Sequence, residues 1–359
     1  MAARLGSTQA ARRQHAGSTE ATESSKRRME RCQKVAAMRA LLSTLALAWL
    51  AVPAAAGPCD ILGAASPPTV CVAAHSTTRA LYSAYHGPLY RVSRQTDQAE
   101  RDVGVVAPGG AANATAQDAF CGGGGGCLIV RIYDQSPRGN HLDVAPKGGH
   151  VPFPDRAVNA SQAPFTLGGR RVYAARFDGG MGYRNDNTSG VATGDAAETI
   201  YMVASGLHYN DRCCFDYGNA ELDNNDDGQG TMEAVNIGTH NDRHSGVGEG
   251  PWILADLEAG MWAASGNPGH AKPIQHTFVT AMLKGGSASP GRHANGHYAI
   301  KGGNSEAGGL TVYYDGARPP GYSPMKKQGA IIMGIGGDNR YEQTSRVMYT
   351  ERGVNPLLF

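Results

Sequence analysis

Short apolar segments that end at glycine constrain the fold of this chain more than any other feature of its sequence. From residue 171 onward they are RVYAARFDG, ETIYMVASG, TMEAVNIG, HTFVTAMLKG, HYAIKGG, LTVYYDGA and GAIIMGIGG. Each is rich in β-branched and aromatic residues and is shorter than a typical helix. Their regular spacing, without alternating strand and helix patterns, predicts an all-β sandwich or barrel rather than a parallel α/β fold.

The first part of the chain predicts two further strands and one helix. GPLYRVSR alternates polar and apolar residues, and CLIVRIY is a β-branched run that ends in a turn. HSTTRALYSAY, residues 75–85, begins with Ser and Thr and has apolar residues at helical spacing, so it predicts a short helix.

The N-terminal 56 residues differ in composition from the rest. Residues 38–56, MRALLSTLALAWLAVPAAA, have a basic start, an apolar core and a small-residue end, and predict a secretory signal peptide. A signal anchor is the alternative, although the apolar run is short for a membrane span. Residues 1–37 are polar and basic, so we expect a non-structural extension with the true start at Met38. The predicted domain is 57–359, in a secreted protein.

This export prediction changes the charge argument. Residues 1–56 carry nine Lys or Arg and three Asp or Glu, so their removal turns the formal charge of +2 into about −4. No basic excess then remains to indicate a nucleic-acid partner.

The cysteines agree with an oxidising compartment. Six of the seven follow the signal, and their spacing suggests local pairs: Cys59 with Cys71, Cys121 with Cys127, and Cys213 with Cys214. The sequence alone permits fifteen connectivities. Adjacent cysteines have Cα atoms about 3.8 Å apart, below the usual disulfide range. From the residues alone, Cys213 and Cys214 are two free thiols, ends of different bridges, or one strained ring.

Other short motifs are weaker. Asn113, Asn159 and Asn187 begin N-glycosylation sequons, which have meaning only in a secreted chain. The histidines show no H-E-x-x-H spacing, and no G-x-S-x-G elbow is present. We therefore predict neither a metal nor an organic cofactor.

Two stretches place carboxylates where they can do chemistry. In GPWILADLEAGMW, strand alternation puts Trp252, Leu254, Asp256 and Glu258 on one face. In GAIIMGIGGDNR, an apolar strand runs through two glycines into Asp338. The non-functional interpretations are a solvated strand face for Asp256 and Glu258 and an ordinary turn for the segment that contains Asp338. Two carboxylates beside a sugar-sized cleft are what a glycoside hydrolase requires.

The blocks CVAAHSTTRALYSAY, IYDQSPRGNHL, GYRN, ATGD, HYNDRCCFDYGNAE, GPWILADLE and GAIIMGIGGDN closely resemble the fungal α-L-arabinofuranosidases of glycoside hydrolase family 54. The resemblance is colinear from about Gly57 to Asn339. It implies a β-sandwich catalytic domain of the concanavalin or lectin-like jelly-roll type. It also implies a monomeric, secreted, retaining enzyme that removes terminal arabinofuranosyl side chains from the arabinoxylan and arabinan of plant cell walls.

The resemblance also implies roles for individual residues. Glu258 matches the nucleophile and Asp338 the general acid/base, so retention predicts carboxyl groups about 5–5.5 Å apart. Burial, or the Glu258 charge, is expected to raise the pKa of Asp338. Asp256 matches a sugar-binding position, and Gly337 matches another through its backbone.

The cysteines acquire partners from the same resemblance. Cys213 and Cys214 match a vicinal disulfide that lies against the bound sugar. The other pairs match as Cys59–Cys71 and Cys121–Cys127.

The chain departs from the family pattern in three places. Ala259 and Gly260 stand where Asn residues help to hold the sugar, and HNDRHSG stands where a loop carries a Trp near the substrate. After Asp338, RVMYTERGVNPLLF resembles neither the rest of the catalytic domain nor the arabinose-binding β-trefoil module that follows it. We expect a shortened domain with an uncovered edge. A non-catalytic, lectin-like carbohydrate-binding sandwich is the alternative hypothesis.

Overall fold

Two antiparallel sheets form the fold in this computed structural model. It describes residues 26–29, 31, 33, 55–66, 69–148, 153–209, 214–223, 230–258, 260–264, 269–288, 294 and 296–335, and the backbone of 357–358. The all-β prediction is confirmed, because the regular structure of the described residues is mostly antiparallel strand, with only short helical segments.

The strands are short, and two short helices accompany them in the described part of residues 54–359. The helices are α1 (Pro58–Gly63) and α2 (Ala114–Cys121). The strands are β1 (Pro88–Arg94), β2 (Glu100–Gly104), β3 (Cys127–Ile132), β4 (Leu142–Val144), β5 (Ala163–Leu167), β6 (Arg170–Arg176), β7 (Met181–Asn185), β8 (Glu198–Ala204), β9 (Asp216–Ala220), β10 (Glu233–Gly238), β11 (Trp252–Asp256), β12 (Met261–Trp262), β13 (Val279–Gly286), β14 (His297–Asn304), β15 (Thr311–Ala317), β16 (Ala330–Ile335) and β17 (Leu357–Leu358).

The sheets have ten and seven strands in the described part of the chain. The first has the order β12-β11-β10-β9-β16-β7-β4-β3-β1-β2, and the second has the order β15-β14-β13-β8-β17-β6-β5. They pack face to face: a Cβ at Gly302 on β14 would lie 2.0 Å from the Ile253 side chain of β11. The core between them is apolar and almost fully buried.

Every segment predicted as a strand contains one, with boundaries shifted by a few residues at most. Strand β16 shows why: its residues from Ala330 to Met333 are buried, and it lies between β9 and β7 inside the first sheet. A continuous apolar run is the pattern expected of a strand covered on both faces.

The helix predicted over 75–85 is wrong, since the segment forms bends and turns. The Ser76 hydroxyl oxygen accepts hydrogen bonds from the Thr78 and Arg79 backbone at 3.1 and 3.2 Å. The Leu81 N–H donates to the Gln135 side chain at 2.7 Å. These bonds replace the helical ones, as Ser and Thr side chains commonly do.

Two of the three predicted disulfides join described residues. Cys59 bonds Cys71, and Cys121 bonds Cys127. Cys214 is also disulfide-bonded. Cys213 lies outside the described residues, so its pairing with Cys214 stays a prediction.

Contacts divide the chain into residues 1–53 and 54–359, and both sheets belong to the second unit. Within the first unit, residues 26–29 are helical and exposed. The predicted signal segment lies outside the described residues except for Ala55 and Ala56. In the part of the chain that the structure describes, no helix is long and apolar enough to cross a bilayer.

A cluster of charged side chains is buried between the sheets. Lys327 Nζ lies 2.8 Å from Glu233 Oε2 on β10 and 3.1 Å from Glu198 Oε1 on β8. Arg318 Nη2 lies 3.4 Å from Glu233 Oε1, and Arg318 Nη1 lies 2.7 Å from Asp195 Oδ1. Glu233, Lys327 and Arg318 have fully buried side chains. These five residues are called the buried ion cluster below.

The buried ion cluster contains three carboxyl groups and two cations. Burial, opposed by Lys327 and assisted by the nearby Glu233 charge, raises the pKa of Glu198 to about 7. Asn219 donates to the Glu198 carboxylate at 3.2 Å and also lowers the pKa. Near neutral pH, Glu198 therefore takes up the proton that balances the cluster.

Removal of the central cation should destabilise the fold. Lys327→Met leaves Glu233 buried without its closest cation, and we expect a loss of about 3–5 kcal/mol in the free energy of unfolding. Arg91→Met is the control: Arg91 pairs with Asp102 at 2.7 Å, but both side chains are more than a third exposed, so about 1 kcal/mol or less is expected. Urea unfolding measures the free energy of unfolding of both variants. Equal losses in the two variants would contradict the assignment of Lys327 as the central cation of the buried ion cluster.

Glu198 should give the stability a distinct pH dependence. Its folded pKa of about 7 exceeds the ordinary 4.5, so the folded state binds more protons than the unfolded state between these values. The free energy of unfolding should fall as the pH rises through that window and level off above it. Glu198→Gln should remove this slope. Unfolding curves at several pH values measure it, and an identical slope in the variant would argue against Glu198.

Candidate active site

Glu258 leaves strand β11 in a conformation that side chains rarely adopt. The strand ends at Asp256, and Glu258 has φ +82°. Its N–H donates to Asp256 Oδ1 at 2.8 Å, and its Oε2 accepts from the Thr231 N–H at 2.7 Å. A positive φ in a non-glycine residue costs about 1–3 kcal/mol and persists where surrounding contacts enforce it. The first hydrogen bond fixes the Glu258 backbone, and the second holds its carboxylate.

The non-functional interpretation of Asp256 and Glu258, a solvated strand face, is wrong. Asp256 is 3% exposed and Glu258 is 4% exposed. The predicted alternation is correct as far as Asp256: Ile253 points into the core between the sheets, and Asp256 belongs to the opposite face. Glu258 is then positioned by its own turn rather than by the strand.

Two further polar residues lie on the face that carries Asp256. Asn236 on β10 is opposite Asp216 on β9 and Leu254 on β11, so register brings Asp216 toward Asp256. Asn236 Nδ2 donates to Asp216 Oδ1 at 2.9 Å. All three polar residues are 3% exposed or less. Sequence reasoning missed Asp216 and Asn236, because each is recognised only through a partner on another strand.

Cys214 joins this polar face. Its Sγ and one carboxylate oxygen from each of Asp216 and Asp256 all lie within 4.8 Å of one another. That grouping has the dimensions of a metal site, but Cys214 is disulfide-bonded and offers no thiolate, the form in which cysteine binds metals. Cys214 is 9% exposed.

An aromatic pair and an arginine lie beside Glu258. Trp262 and Tyr322 meet edge to face with ring centroids 6.0 Å apart, and the Arg243 guanidinium carbon lies 5.3 Å from the Trp262 ring centroid. Tyr322 approaches Gly230, where an added Cβ would lie 3.5 Å from the ring. Gly230 precedes Thr231, the donor to Glu258. Sequence reasoning missed these residues too.

Electrostatics links the aromatic pair to the carboxylates. Burial is the main cause that raises the pKa of the Tyr322 hydroxyl, with Trp262 and Arg243 opposing it. The charges of Asp256 and Glu258 raise the Tyr322 pKa further, so this hydroxyl stays protonated near the site.

The remaining predicted site residues are only partly placed. Asp338, Gly337 and Cys213 lie outside the described residues. Strand β16, which leads toward them, pairs with β9 so that Gly334 is opposite Asp216.

Of the sequon residues, Asn187 is exposed. Asn113 caps helix α2 through a bond from Ala116 N, and Asn159 accepts from Ser161 N.

A cavity of about 590 Å³ is separate from this site. It is lined by strand β8 and by inner-face residues such as Tyr217, Ile331 and Met333. Neither Asp256 nor Glu258 borders it, so it is not the candidate catalytic site.

Comparisons with known proteins agree with this geometry. Residues 58–351 match the family described as "Alpha-L-arabinofuranosidase B, catalytic". A "Probable alpha-L-arabinofuranosidase B" of Aspergillus terreus is 49% identical over 309 residues, which cover 84% of this chain and 59% of the relative. An "Alpha-L-arabinofuranosidase" of Hypocrea jecorina is 51% identical over 293 residues, 79% of this chain and 56% of the relative.

Solved structures give the same result. An arabinofuranosidase complexed with arabinofuranosyl-alpha-1,2-xylobiose matches with a TM-score of 0.75 and 44% identity, over 84% of this chain and 60% of that one. A GH54 α-L-arabinofuranosidase soaked with a cyclic sulfate inhibitor matches with a TM-score of 0.74. The chain spans somewhat more than half the length of these relatives.

The predicted vicinal disulfide can be tested against a matched pair. Cys213→Ala with Cys214→Ala should raise KM for an aryl arabinofuranoside about tenfold, equivalent to about 1.4 kcal/mol, because it removes a surface beside Asp256. So small a ring adds little chain-entropy stabilisation. Cys121→Ala with Cys127→Ala should instead lower the free energy of unfolding by about 2 kcal/mol and leave KM unchanged. A large thermal loss with normal KM in the first variant would make that ring structural.

Proposed function

The chain belongs to the family of alpha-L-arabinofuranosidase B catalytic domains, and we propose from this premise that it is a retaining α-L-arabinofuranosidase. Its substrates are terminal arabinofuranosyl groups on arabinoxylan and arabinan. The observation that carries the proposal is the buried Glu258 carboxylate, which accepts a hydrogen bond from the Thr231 N–H, while the Glu258 backbone N–H donates to Asp256.

Glu258 has the properties of a nucleophile. A hydrogen bond from a backbone N–H stabilises the ionised form of a carboxylate, and Oε2 is held by Thr231 N at 2.7 Å. A rigid carboxylate needs no rearrangement before it attacks, so its alignment with the anomeric carbon contributes directly to the rate.

The reaction has two displacements. In the first, a Glu258 oxygen bonds the anomeric carbon as the bond to the leaving oxygen breaks, and Asp338 gives its proton to that oxygen. In the second, Asp338 takes a proton from water, the water oxygen bonds the anomeric carbon, and Glu258 is released. Two inversions give net retention.

The role of Asp338 is assigned from the resemblance and from its place after strand β16. Asp338 follows Ile335 by three residues, which span at most about 10 Å. Strand β16 lies beside β9, the strand that carries Asp216. The separation of about 5–5.5 Å expected between the catalytic carboxyl groups remains a prediction.

Asp256 and its neighbours supply the sugar-binding surface. A buried carboxylate accepts hydrogen bonds from sugar hydroxyls, and bonds of this kind strengthen in the transition state. The disulfide-bonded Cys214 adds an apolar surface within 4.8 Å of that carboxylate. The arabinose ring would thus contact Asp256 through its hydroxyls and Cys214 through carbon.

Two observations support the substrate and the location that we propose for the enzyme. The relative bound to arabinofuranosyl-alpha-1,2-xylobiose supports a branched plant polysaccharide as substrate. The two disulfides among the described residues support export into an oxidising medium. We propose that the protein acts outside the cell as a monomer.

Substitution of the nucleophile tests the proposal. Glu258→Ala should lower kcat/KM for 4-nitrophenyl α-L-arabinofuranoside more than about 1000-fold, because no covalent intermediate can form. Glu249→Ala is the control, since Glu249 is exposed in the loop before β11, and its activity should stay within about twofold of wild type.

Two results would count against the proposal. One is substantial activity in Glu258→Ala, and the other is an inverted product. With methanol as acceptor, proton NMR should show the methyl α-furanoside as the first product. Binding of arabinoxylan without any release of arabinose would instead support the lectin-like alternative.

A further inference from the structure

We propose that Arg243, together with Trp262 and Tyr322, forms the wall that receives the sugar next to the arabinofuranosyl group. The inference rests on the proposed function and extends it to the leaving-group side of the cleft. Arg243 thereby becomes a residue that determines which polysaccharide is cleaved.

Gly260 allows Arg243 to occupy this position. Gly260 has φ +138°, and a Cβ built there would lie 2.3 Å from Arg243 Nε and 2.9 Å from its Cγ. Only a residue without a side chain can accommodate both the backbone conformation and the arginine. The guanidinium therefore lies directly against the backbone two residues after Glu258.

The Asp242 carboxylate holds the Arg243 side chain in position. Arg243 Nε lies 3.3 Å from Asp242 Oδ2, while Asp242 Oδ1 accepts the Met261 N–H at 3.0 Å. The anchor is thus attached to strand β12. The Arg243 side chain remains 43% exposed, so it is held in place and also presented to solvent.

The wall is connected rigidly to the nucleophile. From Glu258 the contacts run through Thr231 and Gly230 to Tyr322, whose ring meets Trp262 edge to face. The Arg243 guanidinium carbon lies 5.3 Å from the Trp262 centroid, and Arg243 returns to Gly260. This closed circuit of contacts keeps the wall at a constant distance from Glu258.

The chemistry of the wall selects an uncharged sugar. A planar guanidinium stacks on rings and presents several N–H donors in fixed directions, which suits sugar hydroxyls. Asp242 pairs with the guanidinium, and Asp256 and Glu258 add negative charge near Tyr322, so the wall has no excess of positive charge for a uronate. The expected ligand is a neutral pyranose or furanose unit of the polysaccharide that carries the arabinose.

Kinetics with two leaving groups tests the inference. We compare 4-nitrophenyl α-L-arabinofuranoside, whose leaving group is not a sugar, with arabinofuranosyl-xylobiose. Arg243→Ala should lower kcat/KM for the oligosaccharide about tenfold more than for the aryl substrate, mainly through KM. Arg243→Lys keeps the charge but not the planar fork, and should fall between Arg243→Ala and wild type.

Arg101→Ala is the matched control. Arg101 lies over the Phe120 ring at 5.8 Å near strands β1 and β2, far along the ten-stranded sheet. The ratio of the two kcat/KM values should not change. An equal fall for both substrates in Arg243→Ala would mean that Arg243 only supports Glu258. Wild-type activity of Arg243→Ala on both substrates would equally overturn the inference.

A binding measurement separates this inference from the proposed function. In the Glu258→Gln background, calorimetry with arabinofuranosyl-xylobiose and with arabinose needs no turnover. Arg243→Ala should weaken binding of the oligosaccharide about tenfold more than that of arabinose. If Arg243→Ala weakens oligosaccharide binding selectively but the wild-type protein releases no arabinose, only the proposed function is overturned. If the wild-type protein is active but Arg243→Ala weakens the binding of both ligands equally, only the inference is overturned.

Discussion

The buried ion cluster is the interaction on which the site depends, because it holds together the segments that position Glu258. Glu233 begins strand β10, two residues after Thr231, and its carboxylate is fixed by Lys327 Nζ at 2.8 Å. The neighbouring Lys326 N–H donates to the Gly230 carbonyl at 2.8 Å. Thr231, which donates to Glu258, and the aromatic pair are thus tied to one set of charges between the sheets.

The presence of such a cluster is better explained by the positions that it fixes than by a gain in the free energy of unfolding. Buried charges lose hydration that their pairing only partly restores, so an apolar replacement of similar volume is often as stable. An apolar core would, however, allow Thr231 to shift relative to Glu258. Misplacement of about 1 Å at a catalytic group can cost about 100-fold in rate. We interpret the cluster, with its proton on Glu198, as a device that specifies one arrangement of β8, β10 and the segment before β16.

The sequence alone was sufficient to predict the strands and the part of the candidate site that contains Asp256 and Glu258. Gly-bounded apolar runs define local elements, and the two-residue spacing of Asp256 and Glu258 brings both acids to one place. Residues whose role depends on distant partners could not be found this way. Thr231 is 27 residues from Glu258 and Asp216 is 20 from Asn236. The error over 75–85 has the same origin, because the Gln135 side chain takes the N–H of Leu81.

Gly260 shows how a departure from a family pattern can be structural rather than degenerate. The resemblance predicts Asn there, yet glycine leaves the space that Arg243 fills from a loop that precedes β11. A polar side chain is thereby removed from the backbone beside Glu258, and a cation anchored by Asp242 takes its place. The hydrogen-bond donors beside the proposed sugar site are retained, but they lie farther out, since Arg243 remains 43% exposed. The change is thus expected to alter recognition of the leaving group more than attack at the anomeric carbon.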